Sequence, residues 1–62
     1  MTHGEIILSV LTADAKHIDT IAAESGLSIR DTSAGLAYLL LDGKILSEPG
    51  MRYKKESDPA KQ

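Results

Sequence analysis

Few side chains in this sequence could do chemistry, and the ones that could are cations and hydroxyls. The histidines are His3, near a terminus, and His17, beside Lys16. A nucleophile needs a base within hydrogen-bond reach and a third group to orient it. The serines fall instead at helix caps, a turn and helix surfaces. No His or carboxylate pair has metal-ligand spacing on one face, and there is no cysteine to supply a thiolate. The five glycines stand singly, with no loop to cradle a phosphate. Catalysis, a metal and a cofactor are therefore not expected. What remains are cations and hydroxyls able to hold the anionic or polar groups of a partner: Lys16 and His17, then Ser28, Arg30 and Ser33, then Arg52, Lys54 and Lys55.

The stretch from Gly26 to Ile45 must position the middle group. Ser28 and Asp31 form a Ser-x-x-Asp capping box, and Gly43 is a natural stop because the left-handed conformation is easy without a side chain. The spacing predicts a helix from Ile29 to Asp42. At about 100° per residue, Ile29, Thr32, Leu36, Leu39 and Leu40 face a core. Arg30, Ala34, Ala37 and Leu41 fall opposite, with Ser33 and Tyr38 at the edges. Gly35 lets the helix pack closely on a neighbour.

Before it, Thr2 and Glu5 form another capping box, so a first helix starts near His3. Its Ile6, Ile7, Leu8, Val10 and Leu11 spread over a wider arc than one buried face needs. Either a small core surrounds this helix closely, or Ile6 or Leu8 is left over for a second subunit. Thr12 to Ala15 is a polar connection, and Ala15-Lys16-His17 can form a brief extended segment. A second helix spans Ile18 to Ser25, closed by Gly26. Helix, Gly-containing turn and capped helix make a helix-turn-helix pattern. After Gly43 the period changes. Lys44-Ser47 and Met51-Lys54 alternate in type around Glu48-Pro49-Gly50, a hairpin pattern, with Ile45 and Tyr53 facing the helices and Arg52 and Lys54 facing water. Residues 56–62 are polar and expected to be disordered.

Sixty-two residues make one small domain, near the lower limit for a self-sufficient core. Without Phe or Trp, that core must come from Ile, Leu, Val and Ala. No apolar run approaches the roughly 20 residues of a membrane span, a signal peptide is not expected, and the absence of cysteine fits a reducing cytoplasm. The net charge of -2 alone does not suggest a nucleic-acid partner, but its distribution is uneven. Residues 1–43 carry two cations against six carboxylates, and residues 44–55 carry four cations against one. Basic charge is concentrated just after the central helix.

Three helices, the last two in a helix-turn-helix, and then a two-stranded hairpin resemble the winged helix-turn-helix superfamily over residues 5–55, a mainly α fold with a small β-hairpin. The residues that carry the resemblance are Ile18-Asp19-Thr20-Ile21-Ala22, Ser25-Gly26-Leu27-Ser28-Ile29, Leu36, Leu39, Asp42-Gly43, Ile45 and the wing Pro49-Gly50-Met51-Arg52-Tyr53. Within it the chain is similar to the C-terminal winged-helix domain of the DprA/Smf family, and to small stand-alone prokaryotic winged-helix regulators. Two departures stand out. His17 takes a place usually held by Ser or Thr, and the outward face of the third helix is poor in groups that read bases.

The resemblance implies binding of double-stranded DNA, by a small transcriptional regulator or a module of a larger protein. Lys16 and His17 would then meet a phosphate at a helix start. Arg30 and Ser33 would enter a major groove, and Arg52, Lys54 and Lys55 would lie along the backbone. Ala34 and Ala37 permit close approach to DNA, and Tyr38 reaches a phosphate. The same face, with Leu41, equally suits helix packing, so the alternative is a protein-interaction or dimerisation module. A homodimer through the first helix is an expectation under either reading.

Overall fold

The computed structural model describes residues 2–56. In chain order the elements are α1 (His3–Val10), β1 (Lys16–His17), α2 (Ile18–Ser25), α3 (Ile29–Leu41), β2 (Ile45–Glu48) and β3 (Arg52–Lys55). Apart from Glu56, the tail expected to be disordered lies outside the described residues.

Each helix begins where a side chain can satisfy its free amides. At α1 the capping box closes in both directions: Thr2 Oγ1 accepts from the Glu5 amide, and the Glu5 carboxylate accepts from the Thr2 amide at 2.8 Å. At α3 the first half forms, with the Asp31 amide donating to Ser28 Oγ at 3.0 Å. The return bond from the Ser28 amide to Asp31 is not made, and the Asp31 carboxylate lies 4.0 Å from His3 Nε2 on α1. The predicted end of α3 is one residue too long. Asp42 is the C-cap, Gly43 takes φ 72, and the Gly43 and Lys44 amides donate to the Leu40 and Leu39 carbonyls, a Schellman closure.

The core is Ile7, Leu11, Ile18, Ile21, Ala22, Leu36, Leu39 and Ile45, with Leu8, Val10, Leu27 and Tyr53 packed against it. On α3 the buried residues are Thr32, Gly35, Leu36 and Leu39, an i, i+3, i+4, i+7 set. Ile29 and Leu40, expected to face the core, are exposed. They sit roughly 70° and 90° from the centre of that set, past the reach of α1 and α2. Gly35 is the point of closest approach: a Cβ there would lie 2.5 Å from Ile7 Cδ1. The apolar surplus expected on α1 is largely absorbed. Ile6 and Leu8 are half-buried, and the large exposed hydrophobic residues are on α3, in β2 and at the wing tip.

The sheet is antiparallel in the order β1-β3-β2. The brief extended segment is thus a third strand beside the hairpin. Residues 49–51 turn the wing, with Gly50 at φ 86 and Met51 at φ 58. Met51 is held in this left-handed conformation by a bond from the Ile18 amide to its carbonyl, 3.0 Å. The Lys55 amide donates to the Thr12 carbonyl at 2.9 Å. β3 is therefore anchored at both ends, to the first residue of α2 and to the segment between α1 and α2.

Candidate nucleic-acid interface

The side of α3 opposite the core forms an open ridge of Arg30, Ala34, Ala37 and Leu41, flanked by Ser33 and Tyr38, and all six are exposed. Leu41 is 85% and Tyr38 73% exposed. Arg30 is in the first turn, beside the Ser28 cap, and makes no ion pair among the described residues. A guanidinium so placed can offer its planar fork to guanine or phosphate oxygens. Ser28 spends an acceptor on the Asp31 amide, which leaves its hydroxyl hydrogen free to donate.

The start of α2 behaves differently from expectation. Lys16 is drawn inward: its ammonium donates to the Val10 carbonyl and to Glu24 Oε1, both at 2.6 Å, and its side chain is only 24% exposed. It ties α1 to α2 and has little left for an outside phosphate. His17 is the N-cap itself, with Nδ1 accepting from the Asp19 amide at 3.0 Å. An imidazole nitrogen with a lone pair does here what a Ser or Thr oxygen does elsewhere.

On the wing, the paired positions Glu48↔Arg52 and Leu46↔Lys54 share one face of the sheet, following the alternation of strands. Glu48 Oε2 lies 2.9 Å from Lys54 Nζ, and Oε1 lies 3.4 Å from Arg52 Nη2. Arg52 Nε also donates to the Pro49 carbonyl at 3.3 Å. Lys54 beside it is the main reason the Glu48 carboxyl is held below its ordinary value. Lys54 is thus half-buried and paired rather than pointing freely to water. Lys44 and Lys55 are exposed, without an ion pair among the described residues. Glu48 is the residue that motif reading missed. The signal was available, since a three-residue turn at 49–51 sets position 48 opposite position 52.

An open cleft of about 620 Å³ separates the start of α1 from α3, with His3, Leu8, Ala34, Tyr38 and Leu39 among its walls. Among the described residues no group of three His, Cys, Asp or Glu comes together to hold a metal, and no helix is long and apolar enough to cross a membrane.

Known proteins place these elements in a lineage. The family described as the DprA winged helix domain matches residues 4–51. A "Protein Smf" of Synechocystis sp. (strain ATCC 27184 / PCC 6803 / Kazusa) is 41% identical over 49 residues. That alignment covers 79% of this chain and 12% of the relative, so the chain corresponds to a small part of that protein's length. No solved structure matches. The matched span holds the helices, with the α2–α3 helix-turn-helix, and the first wing strand with its turn, and the chain belongs to the DprA winged helix domain family.

Proposed function

We propose that this domain is a non-catalytic binder of double-stranded DNA, with α3 in the major groove and the wing against the backbone. It would act in the cytoplasm, as a small transcriptional regulator or as the DNA-binding module of a larger protein. The observation that carries the reading is Arg30, exposed in the first turn of α3 with no ionic partner among the described residues. The first turn of the second helix is the part of a helix-turn-helix that contacts base edges. Ala34 and Ala37 behind it allow the helix axis to come close, and their methyls suit a thymine methyl. Family membership supports the same reading.

A second reading rests on Leu41 and Tyr38, which leave an apolar surface at the C-terminal half of α3. That surface fits a protein partner or a second copy better than a phosphate backbone does. Self-association through α1, by contrast, would draw only on half-buried Ile6 and Leu8.

Fluorescence anisotropy against mixed-sequence duplex at two salt concentrations separates the readings. Duplex binding should weaken with salt, and Arg30→Ala should lose about 1–3 kcal/mol at a preferred site. A chain that dimerises and ignores duplex, with the dimer lost on Ala37→Glu, would establish the protein-interaction reading instead.

A further inference from the structure

We propose that Arg52 and Lys54 form a phosphodiester-binding pair that Glu48 keeps self-occupied, its carboxylate standing where a backbone phosphate would sit. The inference rests on the nucleic-acid reading above and assigns to the wing a built-in competitor for that ligand. Glu48 gives one oxygen to each cation, Oε1 to Arg52 and Oε2 to Lys54. Two oxygens shared between two cations is also how a phosphodiester would engage them.

The strand register builds the arrangement. His17 pairs with Arg52 on one side and Glu48 pairs with Arg52 on the other, so the three side chains form a row across β1, β3 and β2. Lys54 lies two residues along β3 on the same face. Glu48 is 30% exposed at its side chain and Arg52 49%, so the anion is better shielded than the guanidinium it holds. Arg52 is also steadied by its Nε bond to the Pro49 carbonyl, which keeps the guanidinium near the turn when the carboxylate leaves.

Exposed ion pairs contribute little to folding, so stability gives Glu48 weak reason to occupy this position. Its effect on a ligand is larger. With Glu48 in place the pair presents a net single positive charge, and an incoming phosphate must displace a carboxylate.

The test is Glu48→Gln, which keeps the side chain's shape and removes its charge. Parent and variant are titrated against labelled mixed-sequence duplex and against heparin, a polyanion without bases, at two salt concentrations. Two exposed pairs of ordinary strength correspond to about fivefold to tenfold, so E48Q should bind that much more tightly. Leu46→Glu, which sets a second carboxylate opposite Lys54, should bind more weakly. If E48Q matches the parent or binds more weakly on both polyanions, the proposal is overturned and Glu48 is a positioning residue for the two cations. If the parent binds duplex and E48Q gains nothing, the proposal falls and the DNA reading stands. If E48Q gains on heparin while neither protein binds duplex, the two cations are masked by Glu48 but are no phosphodiester site, and the proposal falls together with the DNA reading. Silence on both overturns both.

Discussion

Replacing Gly35 with Ala tests the packing that fixes α3 against α1. In an exposed helix interior this exchange is favourable by about 1 kcal/mol, because glycine loses more backbone entropy on folding. Here the new methyl would stand 2.5 Å from Ile7 Cδ1, with His3 Cβ and carbonyl carbon at 3.5 and 3.6 Å. The His3 contacts are ordinary, and the Ile7 contact must be relieved. Ile7 is fully buried, so its end cannot swing into solvent and must press on the core. Overpacking of that kind costs typically about 1–3 kcal/mol. Taking about 2 for it, less about 1 for propensity, Gly35→Ala should destabilise by about 1 kcal/mol. Ile7→Val removes the atom that is struck and alone costs about 1 kcal/mol. In that background Gly35→Ala should recover its propensity gain, bringing the double variant close to the parent. The singles sum to about 2 kcal/mol of destabilisation, so the cycle should show a coupling of about -2 kcal/mol, within the range seen for residues in contact. Urea unfolding monitored by circular dichroism measures all four corners. Thermal melts should show each single variant lower by roughly 4–8 °C. Additivity within a few tenths of a kcal/mol would refute the close approach at Gly35.

Two further expectations concern stability. Thr32 is fully buried and its hydroxyl oxygen has no hydrogen-bond partner, so Thr32→Val should stabilise by about 1 kcal/mol, and a loss in the same urea assay would mean that the hydroxyl is satisfied in solution. Glu5 is held below the ordinary carboxylate value of about 4.5, chiefly by the bond from the Thr2 amide, and Glu48 chiefly by its bond with Lys54. A depressed carboxylate adds stability that is fully present above its unfolded value and is lost as pH falls through the folded one. Melting temperature should therefore hold down to about pH 4.5 and decline below it, with a shallower decline in E5Q/E48Q; an unchanged slope in that variant would exclude these two carboxylates.

The elements were legible wherever one residue type decides a local conformation. Thr2, Ser28, Gly26 and Gly43 announce helix ends through groups that act within four residues, and the alternation around Pro49-Gly50 announces a hairpin for the same reason. Burial on α3 was legible at its centre and not at its margins, because Ile29 and Leu40 depend on how far α1 and α2 extend, which helical periodicity does not contain. The site was less legible than the fold. Lys16 and Arg30 look alike as isolated cations, yet Lys16 is consumed by Val10 and Glu24 while Arg30 is not. That difference arises from contacts six and eight residues apart and between elements. Glu48 lay in plain view in a basic stretch, and only strand register revealed that it faces both cations.

The sheet order carries a consequence for how the chain is made. β3 is the central strand, with β1 on one flank and β2 on the other, yet among the described residues it is the last element in sequence. A nascent chain emerging from the ribosome can form α1, α2 and α3 early, since helices close through local contacts. The β1 ladder has no partner until residues 35 positions later arrive, the separation set by the His17 and Arg52 pairing. At ordinary synthesis rates of about 5–20 residues per second, the amides of Lys16 and His17 wait seconds for their ladder. The helical part is thus the portion that must persist unaided, and the arrival of Arg52–Lys55 locks three segments in one step.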